Sequence, residues 1–345
     1  MAVPSTLPST RAVTSPALSE FSLIDRFFAR RARGPGASAA LGIGDDCALL
    51  APRAGKLLAI STDMLVEGRH FFPDVDPHAL GHKTLAVNLS DLAAMGAQPR
   101  AFTLAVALPR ADAGWLGAFA DGLFELAERH GCELIGGDTT SGPLNLCVTV
   151  FGDVAPDAAL RRDAARDGDD VWVSGTLGDA RAGLGVARGE WRADDAAAAL
   201  LRRALERPEP RVALGLALAG LAHAALDVSD GLAGDLLHIL ERSRVRAEID
   251  ADAVPRSAAL ATLPAEVQRR CTLAGGDDYE LCFTAAAQAR AAIETAAAQA
   301  GVPVTQIGTI RGLSAPADAP AIAWRDASGA PLSLSLHGFD HFHAD

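Results

Sequence analysis

Five segments of the chain place aspartate directly after a short apolar run. The aspartates are Asp45 with Asp46, Asp63, Asp138, Asp227, and Asp277 with Asp278. An apolar run that stops at glycine and aspartate is typical of a buried strand that brings a carboxylate to a sheet edge. We therefore expect these carboxylates to converge, and a pair about 4 Å apart repels by roughly 4 kcal/mol at an effective dielectric of 20. A cation is needed to offset that repulsion, and oxygen ligands favour Mg²⁺, Ca²⁺ or Mn²⁺.

The rest of the pattern predicts helices and strands that alternate in both halves of the chain. Apolar spacing predicts helices at 20–32, 77–95, 112–131, 195–206 and 230–241, and strands at 56–62, 101–108, 133–136, 144–150, 170–174, 224–228, 279–283 and 302–310. Further helices are expected after the turn at 175–179, between Pro210 and the strand at 224–228, and between the last two strands. Asp76 followed by Pro77 marks a helix start, and Gly96 stands where a C-terminal cap belongs.

A charged, loop-rich connector around 154–170 divides the chain. We predict an α/β protein of the α+β type, with mixed sheets and flanking helices in each half. The N-terminal domain spans 19–153 and the C-terminal domain 154–345. Residues 1–18 are rich in proline, serine and threonine and lack the apolar centre of a signal peptide, so they are predicted to be a disordered tail.

Composition narrows the class of protein. The 345 residues carry a net charge of −12, which argues against a nucleic-acid partner because such a partner requires a basic surface. The five cysteines form no CxxC pair, as expected for reduced thiols in the cytoplasm. No run reaches about 18 apolar residues, so no membrane-spanning helix is expected. We expect a cytoplasmic protein with neither a nucleic-acid nor a membrane partner.

Candidate phosphate sites rest on glycine-rich turns, because no P-loop, dinucleotide, HExxH or GxSxG motif occurs. The candidates are Gly136 with Gly137 and the turn from Gly175 to Gly178, since backbone N–H groups in turns bind anions. Taken alone, each pattern favours a plain turn over a phosphate site.

Polar residues at three other places allow two interpretations each. Thr84, Asn88 and Asp91 share one helix face, which either meets solvent or points Asp91 into a site. His70 is either a surface loop residue or a ligand contact. Asp230 either caps the helix that follows or joins a carboxylate site.

Six segments in fixed order are far more specific than any one of them. They are Leu41-Gly-Ile-Gly-Asp-Asp-Cys-Ala-Leu-Leu50, Ser61-Thr-Asp63 with His70, Ala86-Val-Asn-Leu-Ser-Asp-Leu-Ala-Ala-Met-Gly96, Leu134-Ile-Gly-Gly-Asp-Thr-Thr140, Asp227-Val-Ser-Asp-Gly-Leu232 and Gly275-Gly-Asp-Asp-Tyr-Glu-Leu281. This set closely resembles bacterial thiamine-monophosphate kinases, which belong to the superfamily of aminoimidazole ribonucleotide synthetase. The resemblance covers about residues 20–342. It implies a two-domain fold, a homodimer formed through the N-terminal halves, and transfer of the ATP γ-phosphoryl group to thiamine monophosphate with several Mg²⁺ ions.

The resemblance also implies roles for individual residues. Metal-binding positions are Asp46, Ser61, Thr62, Asp63, Asp91, Asp138, Asp227 and Asp230. Nucleotide contacts are Gly137, Asp138, Arg162 and Ser229, and substrate contacts are His70, Asp277 and Phe339. Two positions depart from the family: Asp277 stands where glutamate is common, and Phe339 where an aromatic residue with a polar tip is often found.

No covalent or general-base residue is expected. A phosphate acceptor is already ionised near neutral pH, so the transfer requires positioning and charge neutralisation more than a base. Two rival hypotheses stay open. The chain could be another ATP-using enzyme of the superfamily, such as a selenophosphate synthetase or an aminoimidazole ribonucleotide synthetase, which use ATP on different acceptors. It could instead be a non-catalytic module that binds metal and nucleotide, although a site that has lost its catalytic activity need not keep so many aspartates.

Overall fold

The computed structural model describes residues 19–32, 38–312, 321–334, 336, 338 and 339. The predicted tail at 1–18 lies outside the described residues. At the start of the described chain, α1 (Glu20–Leu23) and α2 (Arg30–Ala32) are joined by a π-helical turn at Ile24–Ala29. A short antiparallel pair follows, formed by β1 (Ala39–Leu41) and β2 (Leu49–Leu50).

Two larger sheets form the framework. The first contains β3 (Leu57–Val66), β4 (Gln98–Leu108), β5 (Glu133–Ser141) and β6 (Asn145–Val154), in the spatial order β3-β6-β4-β5. The second contains β7 (Asp169–Ser174), β8 (Ala224–Asp227), β9 (Arg246–Asp250), β10 (Leu281–Ala286), β11 (Val304–Arg311) and β12 (Ile322–Arg325), in the order β12-β9-β11-β7-β10-β8. Both sheets are mixed, because β4 with β5 and β9 with β12 pair in parallel while their other pairings are antiparallel.

Helices flank both sheets, which confirms the predicted fold class. They are α3 (Pro77–Ala94), α4 (Ala113–His130), α5 (Asp179–Ala187), α6 (Asp195–Glu206), α7 (Val212–Leu218), α8 (Leu232–Ser243), α9 (Ala265–Ala274) and α10 (Arg290–Ala300), with 3₁₀ turns at Leu260–Thr262 and Ala287–Ala289. No helix among the described residues is both long and apolar enough to cross a membrane.

Helix α3 lies at the centre of the molecule and contacts both sheets. It begins as its sequence predicts, since the Asp76 carboxylate accepts a hydrogen bond from the Ala79 N–H at 2.9 Å. It packs against α4 and α7 and against β3, β6 and β8. Every residue from Ala79 to Ala94 except Asp91 is therefore buried. The polar face of this helix is enclosed, so the interpretation as a solvated stripe is wrong.

Glycines permit this dense packing around α3. A Cβ at Gly81 would lie 2.0 Å from the Phe119 carbonyl oxygen of α4. A Cβ at Gly215 of α7 would lie 2.0 Å from the Ala93 carbonyl oxygen. Both distances are far below a van der Waals contact, so backbones approach where side chains usually separate helices.

Several predicted strand ends are in different places. Asp63 and Asp138 lie inside β3 and β5 and not at their ends, because both strands continue through polar residues that pair with their neighbours. The apolar run before Gly275 is the end of α9 and not a strand. Asp227 does end β8, as predicted. The pattern missed helix α9 and the strands β2, β9 and β12.

Candidate functional site

A group of oxygen ligands forms where β3 faces α3. Side chains alternate along a strand, so Ser61 and Asp63 point to the face that α3 covers. The Ser61 hydroxyl donates to the Asp91 carboxylate at 2.5 Å, and the Asp63 N–H donates to the Asn88 side-chain oxygen at 3.0 Å. The buried polar stripe of α3 therefore meets the polar positions of β3.

The second sheet adds a further carboxylate to this group. Asp227, the last residue of β8, accepts a hydrogen bond from the Ser90 hydroxyl at 2.6 Å. Its side chain is buried, and it lies close enough to Asp91 for the two charges to repel. Residues from β3, α3 and β8 thus come together, although they are distant in the sequence.

The electrostatics of this group indicate an unmet need for positive charge. Burial, followed by the charge of the neighbouring Asp91 carboxylate, raises the pKa of Asp63 to about 7. Burial also raises the pKa of Asp91, against the opposing effects of the Ser61 hydrogen bond and the charge of Arg162. Burial, followed by the charge of Asp91, raises the pKa of Asp227 to about 7. A bound cation would stabilise the ionised form of all three.

A cavity of about 450 Å³ opens beside these carboxylates. Its lining includes Ser61, Asp91 and Asp227 together with the basic residues Arg161, Arg162 and Arg242. The cavity therefore combines carboxylates, which suit a cation, with guanidinium groups, which suit an anion, and a nucleotide phosphate bridged to metal requires both. Among the described residues, no three His, Cys, Asp or Glu side chains lie close enough together to hold one ion by themselves. The all-oxygen ligand set fits Mg²⁺, which commonly keeps waters and substrate phosphates in its shell.

Three of the predicted metal ligands, Asp46, Thr62 and Asp138, lie in a different part of the structure from this cavity. Thr62 points to the opposite face of the first sheet, where its hydroxyl lies 2.9 Å from that of Thr149. Asp138 pairs with Ala105 and shares this open face, whereas its neighbour Gly137 pairs with Leu104. Asp46, Gly137 and Asp138 all line a second cavity, of about 950 Å³.

The loop that carries Ser229 and Asp230 is held by a residue that the sequence analysis missed. One carboxylate oxygen of Asp235 accepts the N–H groups of Ser229, Asp230 and Gly231, each at 3.0 Å. Burial raises the pKa of Asp235 to about 7, and the three N–H donors oppose that rise. The signal was present, because Asp235 lies one helical turn after Gly231 on the predicted helix.

The three predicted substrate residues lie near one another. Lys83 connects two of them, since its ammonium donates to the His70 carbonyl oxygen at 3.3 Å and lies 3.4 Å from an Asp277 carboxylate oxygen. The N–H of Phe339 donates to the Asp230 carbonyl oxygen at 3.0 Å, which joins this residue to the loop that carries Ser229 and Asp230. The Arg69 guanidinium lies 5.4 Å from the centre of the Phe339 ring.

Neither glycine pair is an open phosphate-binding turn. Gly136 and Gly137 lie inside β5, and a Cβ at Gly137 would approach the Leu104 carbonyl oxygen to 1.9 Å. At the other candidate, the Gly175 N–H donates to Pro303 and the Gly178 N–H to the Asp278 carboxylate. The Asp278 carboxylate therefore occupies the position that a phosphate would need.

Comparison with known proteins gives consistent matches over nearly the whole chain. The family models for AIR synthase related protein match at residues 44–154 for the N-terminal domain and 166–314 for the C-terminal domain. The chain is 47% identical to the thiamine-monophosphate kinase of Escherichia coli (strain K12) over 330 residues, which cover 94% of this chain and 99% of that protein.

Solved structures agree with these matches. The crystal structure of thiamine-monophosphate kinase from Stenotrophomonas maltophilia K279a is 48% identical, with a TM-score of 0.82, and the match covers 92% of this chain and 98% of that one. A structure of AaThiL complexed with AMPPCP and TMP has a TM-score of 0.72 at 28% identity, covering 94% of this chain and 97% of that one.

Proposed function

The chain belongs to the AIR synthase related family and, within it, to the thiamine-monophosphate kinases, and we propose that it transfers the γ-phosphoryl group of ATP to thiamine monophosphate, giving thiamine diphosphate. The observation that carries this proposal is the arrangement along α3. Asp91 of this helix belongs to the cluster of carboxylates that it forms with Asp63 and Asp227. Lys83 lies eight residues before Asp91 on the same helix and contacts the predicted substrate residues His70 and Asp277. That spacing corresponds to about 12 Å, which supports a donor site and an acceptor site at neighbouring positions along one helix.

The transfer requires little covalent chemistry from the protein. Both reactants are phosphates, so their mutual repulsion is the main obstacle, and an in-line attack needs them held in fixed positions. Arg162 supplies positive charge at the wall of the nucleotide cavity. Ser229 and Asp230 are held at the edge of the site by Asp235. The acceptor phosphate attacks as an anion, which explains why no general base is assigned.

We propose that several Mg²⁺ ions are held mainly by Ser61, Asp63, Asp91, Asp227 and Asp230 together with the ATP phosphates. Bound Mg²⁺ neutralises phosphate charge and stabilises the transition state electrostatically. If this is correct, Mg²⁺ with a non-hydrolysable ATP analogue stabilises the fold by mass action, by about 2.7 kcal/mol at a hundred times the Kd. Thermal unfolding with and without chelator measures the effect. A melting temperature that does not respond to both ligands together contradicts the proposed site.

The activity assay separates this function from its rivals. Purified protein with ATP and Mg²⁺ is expected to form thiamine diphosphate and ADP only when thiamine monophosphate is present. Thiamine, which lacks the acceptor phosphate, is the matched negative substrate. ATP turnover that is indifferent to thiamine monophosphate would indicate another synthetase, and nucleotide binding without turnover would indicate a binding module.

We also propose a homodimer formed through the open face of the first sheet, in the 19–153 half. Strand β3 is an edge of this sheet, and it exposes Leu58, Ile60 and Met64 side by side. An apolar edge strand invites pairing with another chain unless it is covered. Thr62 and Asp138 lie on the same face. These predicted metal ligands, which are separate from the carboxylates around Asp91, would therefore lie at the dimer interface.

The dimer is tested with a matched pair of variants. Ile60 and Leu200 are both 59% exposed, but Leu200 lies on α6, away from the first sheet. Ile60→Glu is expected to yield monomers in light scattering, whereas Leu200→Glu is expected to leave the dimer intact. A monomeric wild-type protein would contradict the proposal.

We further propose that the protein acts in the cytoplasm, because all five cysteines are free thiols.

A further inference from the structure

Lysine is rare in this chain, and one of its lysines is buried. Of the 31 basic residues, 29 are arginine, and only Lys56 and Lys83 are lysine. The side chain of Lys83 is 3% exposed, whereas Lys56 is exposed to solvent. Burying a charge without a partner is costly, so the partners of Lys83 indicate why this position carries a cation.

The partners of Lys83 come from two segments that are distant in the sequence. Its ammonium donates to the His70 carbonyl oxygen at 3.3 Å and lies 3.4 Å from a carboxylate oxygen of Asp277. His70 belongs to the loop between β3 and α3, and Asp277 belongs to the segment between α9 and β10. Lys83 thus joins both segments to the central helix.

Asp277 is fixed from several sides. Its φ of +68° is unusual for a residue with a side chain, and its N–H donates to the Ser229 carbonyl oxygen at 2.8 Å. The second carboxylate oxygen accepts the Tyr279 hydroxyl at 3.0 Å. With Lys83 on the first oxygen, the carboxylate is held at both ends. It is nevertheless 31% exposed, so a ligand can reach it.

We propose that Lys83 is a positioning residue for the acceptor side of the site. It holds the Asp277 carboxylate and the His70 loop in a fixed position relative to Asp91, the carboxylate of the site that lies on α3. This inference rests on the proposed function. A lysine suits the role because a compact ammonium can donate in several directions from a flexible stem. A planar guanidinium, the cation this chain uses almost everywhere else, presents its donors in one fixed plane.

A positioning role makes a selective prediction for kinetics. Lys83→Met is expected to raise the KM for thiamine monophosphate about tenfold, as expected for one lost charge-assisted hydrogen bond, and to leave the KM for ATP within about twofold. Arg290→Met is the matched control, because it removes a cation from the buried Asp170 carboxylate away from the site, and both of its KM values are expected to equal those of the wild type. An equal rise of both KM values in Lys83→Met would overturn the proposal, because it would indicate general destabilisation.

A double-mutant cycle tests whether Lys83 acts through Asp277. Once Asp277→Asn has been introduced, the further change Lys83→Met is expected to alter the KM for thiamine monophosphate by no more than about threefold. Each single variant leaves one charge of the pair without its partner, so urea unfolding is used to show that every variant is folded before its KM is compared. A further tenfold loss in the double variant would refute the proposed coupling.

A spectroscopic measurement is independent of turnover. Protein labelled with [ε-¹³C]lysine contains only two labelled side chains, and Lys83→Met assigns them. Thiamine monophosphate is expected to shift the Lys83 signal, with the Lys56 signal as internal reference. A Lys83 signal that saturating thiamine monophosphate leaves unmoved would contradict the proposal. If the wild type does not phosphorylate thiamine monophosphate, the proposed function fails. If it does and these tests fail, only the role of Lys83 is wrong.

Discussion

The three backbone N–H groups of Ser229–Gly231 share a single buried carboxylate as their acceptor, and its removal gives the sharpest prediction. One oxygen of Asp235 accepts three consecutive backbone N–H groups, each at 3.0 Å. Asp235→Ala leaves these donors without their acceptor inside the protein. We expect both a loss of stability and a loss of activity, because the same loop carries two of the predicted site residues.

The size of each effect follows from the contacts. A hydrogen bond contributes about 1 kcal/mol net, and more when the acceptor is charged, so three bonds amount to about 3 kcal/mol or somewhat more. Relief of the burial that raises the pKa of Asp235, and of repulsion from Asp230, offsets part of this loss. For activity, a displacement of about 1 Å in a positioned group costs on the order of 100-fold. Asp235→Asn keeps an oxygen acceptor and is expected to lose less of both.

Urea unfolding and steady-state kinetics measure the two effects separately, with Asp170→Ala as the control. Asp170 is also buried and accepts hydrogen bonds from Arg290 at 2.6 Å and Gln306 at 2.8 Å. It pairs with Ala285 at the far end of β10 from the site. Asp170→Ala is expected to lose comparable stability and to keep its activity. Full activity in Asp235→Ala would refute the role of this carboxylate, as would an equal loss of activity in the control.

Three further predictions concern single side chains. Asp91→Asn is expected to lower kcat on the order of 100-fold with an unchanged circular dichroism spectrum, and unchanged turnover at saturating Mg²⁺ would remove Asp91 from the site. Phe339→Ala is expected to raise the KM for thiamine monophosphate several-fold and to leave the KM for ATP unchanged, because a cation on an aromatic face gains roughly 0.5–2 kcal/mol. Equal losses for both substrates would show that Phe339 contributes only to packing. Burial lowers the pKa of His82, whose Nε2–H donates to the Pro208 carbonyl oxygen at 2.7 Å. Below a pH of about 6.5 the unfolded chain therefore binds a proton that the folded protein excludes, so the free energy of unfolding falls as the pH drops. His82→Gln is expected to reduce this fall by up to about 1.4 kcal/mol per pH unit, as measured by urea unfolding at several pH values. Parallel pH curves would show that His82 does not contribute.

Helix ends were the most predictable local features. Asp76 and Asp112 do cap the helices that follow them, and Gly131 does end α4 in the left-handed conformation. These signals depend on one or two residues whose side chains satisfy nearby backbone groups, so they survive whatever the tertiary structure is. The strand pattern was less reliable, because β3 and β5 continue through polar residues.

Sequence proximity could not indicate which face of a sheet each residue occupies. Ser61, Thr62 and Asp63 are consecutive and were predicted to bind metal together. In a strand, however, Thr62 must point away from its neighbours, and its hydroxyl meets Thr149 on the open face. Only the strand assignment reveals that these three residues serve two different surfaces.

The buried helix α3 explains why the family motif on it was easier to recognise than to interpret. A helix enclosed on all sides has no clear apolar face, so the spacing of Thr84, Asn88 and Asp91 was compatible with either solvent or a site. Enclosure settles the matter, because a buried polar group must have a partner. Asn88 and Asp91 find theirs on β3, and Lys83 finds its partners on the acceptor side. Since close backbone packing against α4 and α7 holds this helix, it can keep two reacting phosphates at a fixed separation, and in-line transfer depends on that separation.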